Sequence, residues 1–218
     1  MNLLKTRFFR HYKNKPYKYL GLVKHSETQE DLVLYETLYE NQSAKLWVRP
    51  KAMFFENVEI NGMIQPRFAP VQFTITEYTS IQDFPISQFS ILHNEIMEST
   101  ATTPKFAERL KNKKIYGLLI FDGATPVGMK LGYAEAGSLF YSWLGGTIKA
   151  YRGLGIASEL MRVQHEWCKA QGYAVVETRS REPFTDMMRL NLALGFKITG
   201  TLIDPKNQLK VIFQKQLS

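Results

Sequence analysis

A glycine-rich stretch that leads into a long helical pattern constrains this chain more than any other feature. An apolar, aromatic segment containing Tyr141 and Trp143 runs into Arg152-Gly153-Leu154-Gly155-Ile156-Ala157. Apolar residues then recur at i, i+4, i+7 and i+11, which is one face of an α-helix. They are Ile156, Leu160, Val163 and Trp167. The pattern predicts a strand that turns through glycines into the first turn of a helix.

A turn of this kind can bind an anion. The first N–H groups of a helix have no partner within the helix, the helix dipole favours negative charge, and glycine allows close approach to the main chain. Arg152 adds a guanidinium group at the edge. The segment from Tyr151 to Ser158 is therefore either a phosphate site or a plain corner, and a short glycine motif alone does not decide between them.

The same residues resemble the GNAT superfamily of acyl-CoA-dependent N-acyltransferases. That family carries Arg/Gln-x-x-Gly-x-Gly/Ala between its fourth strand and the next helix, and Arg152–Ala157 follows this pattern. Gly145-Gly146-Thr147 resembles the splayed strand that holds the pantetheine arm. The run Leu190-Asn191-Leu192-Ala193-Leu194-Gly195-Phe196 resembles the helix end of the same fold. The resemblance covers residues 71–218 and implies a mixed α/β domain, a GNAT-type seven-strand sheet flanked by helices.

The resemblance implies an N-acetyltransferase that uses acetyl-CoA as co-substrate. The acceptor would be a primary amine on a small molecule or a protein. The main chain of Arg152 to Ser158 would bind the pyrophosphate, and that of Gly145 to Thr147 would bind the pantetheine arm and the thioester carbonyl. The implied cofactor-binding residues are Gly145, Gly146, Thr147, Arg152, Gly153, Leu154, Gly155, Ile156, Ala157 and Ser158.

Acyl transfer also needs a proton for the leaving thiolate and a base for the amine. Many family members have a tyrosine where this chain has Asn191, whose amide can donate a hydrogen bond to a thiolate but has no proton to give at neutral pH. Asn191 is either such a donor or a buried amide satisfied by carbonyl groups, and Tyr141 is the alternative acid. Glu135 and Glu177, at the ends of predicted strands, are the candidate bases. Many family members instead deprotonate the amine through water.

Turn signals and periodicity in residues 71–218 predict the order β-α-α-β-β-β-α-β-α-β-β. Ser80 is a candidate cap for the first helical region, which extends to Met97. Asp122-Gly123 indicates a hairpin, and Gly172 indicates the end of the helix that begins at Ile156. This order is the one found in GNAT domains.

Residues 1–70 predict a small all-β, barrel-like module. Its predicted strands are Arg7–Lys13, Tyr17–Lys24, Asp31–Tyr39, Lys45–Val48 and Ala52–Ile60. The segment resembles a small bacterial domain family of unassigned function. The residues that carry this resemblance are Arg10–Lys13, His25–Thr28, Leu46–Pro50 and Phe54–Glu56. Proline residues in Pro66–Pro70 indicate a joint, so we predict domains at 1–66 and 71–218.

Composition and charge limit the other classes of protein to which the chain could belong. No apolar run approaches the ~18–20 residues of a membrane span, and the start has no apolar stretch of signal-peptide length. The single cysteine, Cys168, fits a reducing cytoplasm and a packing role, and His11 and His25 lack metal-ligand spacing, so no metal is expected. The net charge of +8 suits an anionic cofactor. Two alternatives stay open: a non-catalytic acyl-CoA-binding regulatory or interaction module, and a nucleic-acid- or ribosome-associated protein recruited through residues 1–70.

Overall fold

The computed structural model describes residues 8–99 and 102–217, and the chain divides into two compact units. The first runs up to Thr74 and also takes in Lys149–Leu154, and the second comprises Ile75–Ile148 and the residues from Gly155 onward. The helices are α1 (Lys51–Phe55), α2 (Ile86–Met97), α3 (Thr103–Leu110), α4 (Ile156–Ala170) and α5 (Thr185–Ala193). The strands are β1 (Phe8–His11), β2 (Pro16–Lys24), β3 (Asp31–Thr37), β4 (Leu46–Pro50), β5 (Asn57–Ile60), β6 (Met63–Pro66), β7 (Phe68–Pro70), β8 (Phe73–Tyr78), β9 (Ile115–Asp122), β10 (Thr125–Ala134), β11 (Leu139–Thr147), β12 (Val175–Ser180), β13 (Lys197–Ile203) and β14 (Leu209–Gln216).

The first unit is built on an antiparallel sheet with strand order β4-β3-β2-β1-β7, beside a β5–β6 hairpin. This confirms a module built on a β-sheet but corrects its expected shape, and the module also contains the short helix α1. The sheet is open, since no pairing joins β4 to β7 among the described residues. Helix α1 supplies Phe54, which is fully buried and stacks on Phe68 with ring centroids 4.1 Å apart. Because the helix covers the apolar face, the sheet does not need to close in order to bury it.

Two details of the first unit differ from the sequence-based expectation. The strand predicted at Ala52–Ile60 is instead α1 followed by β5. The expected joint at Pro66–Pro70 contains β7, which pairs with β1. Proline is tolerated in β7 because this strand lies at the edge of the sheet, where a missing N–H need not remove a ladder bond. Arg7, the first residue of the first predicted strand, lies outside the described residues.

The segment Lys149–Leu154 is anchored within the first unit by Tyr151. Its ring contacts Phe8 and Phe73 at centroid distances of 5.4 and 6.1 Å. Its hydroxyl accepts a hydrogen bond from Arg10 Nη2 at 3.0 Å. Tyr151 is buried, so the residues just before the glycine loop are held by aromatic packing and by a charge-assisted hydrogen bond.

The second unit confirms the predicted element order and contains a mixed sheet with order β13-β14-β12-β11-β10-β9-β8. An apolar core forms between the sheet and the pair α2 and α3, with Phe89, Phe106, Leu119 and Met129 among its buried residues. Helix α4 contacts β9, β10 and β11. The expected helix start at Ser80 is wrong, because α2 begins at Ile86, after Pro85. Proline disfavours a helical conformation in the residue before it, so a helix from Ser80 would be interrupted there.

Helix α4 is amphipathic as predicted, but its buried face carries polar groups. Gln164 and His165 are buried on it together with Leu160 and Cys168. Burial raises the pKa of the Cys168 thiol to about 12, so the group is uncharged at neutral pH. Gly172, at φ +80°, follows the helix end as expected. No helix in the described part of the chain has the length and apolarity needed to span a membrane.

Candidate functional site

The strands β11 and β12 run side by side for only three residue pairs and then separate. They are parallel at Leu139–Val175, Phe140–Val176 and Tyr141–Glu177, after which no pair joins them among the described residues. β11 continues to Thr147 along β10, while β12 continues to Ser180 along β14. The separation leaves a wedge-shaped gap in the sheet, which starts at Tyr141 and Glu177. Main-chain groups of β11 that face the gap have no ladder partner from β12, so an extended ligand could bind there.

The glycine loop follows the open end of β11 directly. A single 3₁₀ turn at Lys149–Tyr151 precedes it, and Gly153 and Gly155 both have positive φ, +75° and +83°. Only glycine adopts this conformation without a steric penalty, so both positions are set by backbone geometry. The side chains of Leu154 and Ile156 are buried, whereas the two glycines are exposed. The loop therefore presents main chain to solvent, which is the arrangement that a phosphate-binding turn needs.

Gly155 also caps α4, and no side chain makes a capping hydrogen bond there. The helix has fifteen residues, so its first N–H groups and its dipole both favour an anion at this end. Ala157 and Ser158 are half-buried in the first turn. Glu159 is the acidic residue of that turn, and its carboxylate is bonded by Arg162, which lowers the pKa of Glu159. The negative charge of Glu159 is thus partly compensated by a neighbour on its own helix.

Close packing explains the two glycines of the predicted pantetheine segment. A Cβ at Gly145 would lie 2.7 Å from Cδ of Lys130, and a Cβ at Gly146 would lie 2.5 Å from Cγ2 of Ile96. Both separations are well below van der Waals contact, so neither position accepts a side chain without a shift of its neighbour. Thr147, the last residue of β11, is buried. The glycines therefore have a packing reason that is independent of any ligand.

Asn191 lies on α5 and is only 2% exposed. Its main-chain carbonyl accepts a hydrogen bond from the Phe196 N–H at 3.0 Å, which helps to end the helix. Its side-chain Oδ1 is buried with no hydrogen-bond partner in the described part of the chain. Oδ1 is an acceptor, and buried polar atoms are nearly always paired, so the partner that this atom calls for is a hydrogen-bond donor.

Tyr141 and Glu177 are brought together as the last pair before the gap opens. Burial raises the pKa of the Tyr141 hydroxyl, so this group keeps its proton at neutral pH and can donate it. Glu177 is 6% exposed, and both of its carboxylate oxygens are occupied. Oε1 accepts a hydrogen bond from Arg179 Nε at 2.8 Å and lies 2.8 Å from Arg179 Nη2 in an ion pair, and Oε2 accepts a hydrogen bond from Gln214 at 2.9 Å. Neither oxygen is therefore free of a protein partner.

Glu135 follows β10 at the other end of this region. Its N–H donates to the Leu139 carbonyl at 2.9 Å, which places it beyond the paired, closed end of the gap. The side chain is 39% exposed and lies 3.8 Å from the Lys113 ammonium. The structure thus groups Tyr141 with Glu177 and leaves Glu135 away from the opening.

Two groups of residues were missed by sequence reasoning. On the face that carries α2 and α3, Arg109 and Arg179 pack on aromatic rings of β10 and β11. On the α4 face, Lys130 is 4% exposed, and burial lowers its pKa to about 8. His165 lies on that face as well, and burial, with a smaller contribution from Lys130, lowers its pKa to about 3. A signal for the first group was present in the sequence. Tyr141 and Trp143, and likewise Glu177 and Arg179, are two residues apart, which is the spacing of side chains on one face of a strand.

In the described part of the chain, no cluster of His, Cys, Asp and Glu side chains is suited to a metal ion.

The first unit has a family match. Residues 7–70 match the family described as "Protein of unknown function (DUF1653)". This supports the resemblance to a domain family of unassigned function and assigns no activity to the unit. No curated protein matches the sequence.

Solved structures that resemble the rest of the chain are acetyltransferases. A putative N-acetyltransferase from Lactobacillus plantarum is 18% identical with a TM-score of 0.56, and the match covers 67% of this chain and 99% of that one. Ard1 from Thermoplasma volcanium is 16% identical with a TM-score of 0.55, over 67% of this chain and 98% of that one. An aminoglycoside 6'-N-acetyltransferase complexed with coenzyme A is 15% identical with a TM-score of 0.54, over 66% and 97%.

These matches define the class of fold. The C-terminal part of the chain has the fold of the GNAT acetyltransferases, and it follows an N-terminal segment that matches a domain family of unknown function. Identities of this size show the fold alone.

Proposed function

We propose that the protein is an N-acetyltransferase that moves an acetyl group from acetyl-CoA to a primary amine. The observation that carries this proposal is the gap between β11 and β12, followed directly by the glycine loop and the start of α4, where no side chain makes a capping hydrogen bond. A splayed strand pair offers free main-chain groups to an amide-bearing chain, and the helix start offers N–H groups to a pyrophosphate. CoA contains both groups in this order, an amide-bearing pantetheine arm joined to a pyrophosphate.

In this proposal each group has a defined role. The main chain of Arg152–Ser158 binds the pyrophosphate, and Gly145–Thr147 bind the pantetheine arm, whose thioester end extends along β11 toward Tyr141. The amine nitrogen attacks the carbonyl carbon, the C–S bond breaks, and the amine loses one proton while the thiolate gains one. In the proposed mechanism Asn191 donates a hydrogen bond to the thiolate through its amide nitrogen, and Tyr141 supplies the proton.

Neither candidate carboxylate is well positioned to take the proton from the amine. Glu177 has both oxygens engaged, and Glu135 lies beyond the closed end of the gap. A water molecule that passes the amine proton to solvent fits these positions better than direct contact of either carboxylate with the amine. Glu177 would then act mainly by fixing Arg179, and Glu135 would lie outside the reacting region.

Calorimetric titration of the full chain with acetyl-CoA tests the binding part of the proposal. The informative variant is Gly155→Val, because a β-branched residue at φ +83° distorts the loop that would hold the pyrophosphate. We expect the affinity for acetyl-CoA to fall by about tenfold or more, since a misplaced loop loses charge-assisted hydrogen bonds.

Gly172→Val is the matched control for this experiment. Gly172 has nearly the same backbone angle, φ +80°, and follows the opposite end of the same helix. Its strain should lower stability while leaving the affinity unchanged. Absence of acetyl-CoA binding by the unmodified protein, or equal effects of the two substitutions, would contradict the proposed site. Binding without release of CoA to any amine would instead favour a non-catalytic acyl-CoA-binding module.

A further inference from the structure

Two arginines and three aromatic rings form a continuous cluster at the closed end of the gap. We call it the arginine–aromatic cluster, and its members are Arg109, Trp143, Tyr133, Tyr141 and Arg179. The three rings form a row, with Tyr133 lying 5.9 Å from Trp143 and 5.4 Å from Tyr141 between centroids. The row extends to Tyr141, the residue at which β11 and β12 separate.

Arg109 is fixed on this row without any acidic partner. Its guanidinium carbon lies 5.1 Å from the Trp143 ring centre and 5.8 Å from that of Tyr133. Its Nε and Nη2 both donate to the Tyr133 hydroxyl, at 3.1 and 2.8 Å. In the described part of the chain no carboxylate pairs with it, and its Nη1 has no acceptor. Arg109 is therefore an exposed, oriented cation whose charge is not compensated.

Arg179 approaches the other end of the row. Its guanidinium carbon lies 4.8 Å from the Tyr141 ring centre, while Nε and Nη2 bond the Glu177 carboxylate. Its Nη1 has no acceptor among the described residues. Both arginines act on the hydroxyls of Tyr133 and Tyr141, since each lowers the pKa of both phenols against the dominant, raising effect of burial. The two guanidinium groups thus lie on rings of the same row.

The cluster keeps a net positive charge when the neighbouring charged groups are included. Lys113 lies 5.0 Å from the Tyr133 ring centre and 3.8 Å from the Glu135 carboxylate. Three cations therefore meet two carboxylates, and both carboxylates already have a basic partner. An arginine on an aromatic ring is well suited to bind a carboxylate. Its planar guanidinium group binds a carboxylate through two hydrogen bonds and stacks on aromatic rings.

We propose that the arginine–aromatic cluster selects the acceptor, and that the acceptor is a small amine that also bears a carboxylate, such as an amino acid. This inference rests on the proposed function. A carboxylate held by Arg109 and Arg179 places a nearby amino group beside Tyr141, at the start of the gap where the thioester would lie. A cationic acceptor such as a polyamine is repelled by the same two arginines, and no free carboxylate of the cluster attracts it.

A thiol-release assay with the full chain and acetyl-CoA tests the inference. The panel contains the twenty amino acids, the carboxamide of each, spermidine, and short peptides with an acidic N-terminal residue. Each carboxamide keeps the side chain and the amine of its amino acid but carries a neutral group in place of the carboxylate that the arginines would recognise, and both are compared at a pH above the pKa of either amine. We expect kcat/KM for the best amino acid to exceed that of its carboxamide by about tenfold or more, as for a hydrogen bond to a charged group.

Arg109→Gln should reduce this ratio to less than about threefold, because glutamine keeps one donor but lacks the charge. The KM for acetyl-CoA should not change. Arg189→Gln is the control, since Arg189 is an exposed arginine on α5 that pairs with Asp186 and lies outside the cluster. If Arg109→Gln lowers the melting temperature, Arg109→Lys provides a second comparison, with an intermediate ratio expected.

Equal rates with amino acids and carboxamides would overturn the inference, as would a preference for spermidine or for the peptides. Failure of every amine on the panel, with acetyl-CoA bound, would overturn it as well. Calorimetry with acetyl-CoA keeps this result separate from the proposed function. A protein that binds and turns over acetyl-CoA but ignores the carboxylate refutes only the choice of acceptor, whereas a protein that does not bind acetyl-CoA refutes the underlying proposal.

Discussion

Replacement of Lys130 by methionine should stabilise the protein at neutral pH. Lys130 lies on β10, is 4% exposed, and its ammonium makes no hydrogen bond or ion pair with any residue of the described part of the chain. Its titratable neighbours on the α4 face, Cys168 and His165, are both uncharged at pH 7. The charge of Lys130 is thus buried without compensation, which is costly. Methionine has a similar length and no charge, so it should pack in the same space.

The magnitude follows from the shift in the pKa of Lys130. Burial lowers this pKa from 10.5 in the unfolded chain to about 8 in the folded one. Below pH 8 both states carry the proton, and the folded state bears the full penalty of about 3 kcal/mol. Between pH 8 and 10.5 the folded protein has lost a proton that the unfolded chain still binds, so stability rises with pH. At pH 10 the remaining penalty is about 1 kcal/mol.

The stabilisation of the variant should therefore depend on pH in a defined direction. Lys130→Met should raise the free energy of unfolding by about 3 kcal/mol at pH 7 and by about 1 kcal/mol at pH 10. Urea unfolding followed by tryptophan fluorescence is a suitable assay, because Trp143 and Trp167, two of the three tryptophans, lie in the second unit. The difference between variant and parent cancels the titration of other groups.

Lys197→Met is the control for this measurement, since Lys197 lies on β13 of the same sheet with an exposed side chain. It should change stability by less than about 0.5 kcal/mol at either pH. A Lys130→Met variant that is less stable than the parent at pH 7 would refute the reasoning. A stabilisation that stays the same at pH 10 would show that packing, and not charge burial, is responsible.

Two further substitutions test the site and the packing. Asn191→Ala should lower kcat for acetyl transfer by about tenfold while leaving KM for acetyl-CoA within about threefold, because the amide would act on the leaving thiolate and not on the bound cofactor; steady-state kinetics measure both values, and an unchanged kcat would remove Asn191 from the mechanism. Gly132→Ala should destabilise the second unit by about 3 kcal/mol or more, as in other cases of severe overpacking, because its Cβ would lie 2.3 Å from Cε1 of Phe140 and 2.6 Å from the carbonyl oxygen of Tyr141. Gly200→Ala is the matched control for thermal unfolding, since a Cβ there meets its nearest atom at 3.8 Å, and equal losses at the two strand glycines would contradict the packing argument.

Local patterns allowed much of the second unit to be predicted. Its element order was correct, because strand and helix periodicity are properties of consecutive residues. The first unit was less predictable. Its helix α1 is a single short turn with too few residues to show a period, and β7 is recognised only by its pairing with β1. A short segment has no periodicity of its own, so its partner decides its conformation.

What the sequence determined by itself was the glycine loop at the start of α4, since positive backbone angles at Gly153 and Gly155 are a local requirement that glycine meets. The tertiary structure decided what surrounds the loop and the gap. Only the register of β11 and β12 shows that the strands part at Tyr141 and Glu177, and only the folded sheet brings Arg109 and Arg179 to one row of rings. These residues are far apart along the chain, and no local pattern records a contact that long-range pairing creates.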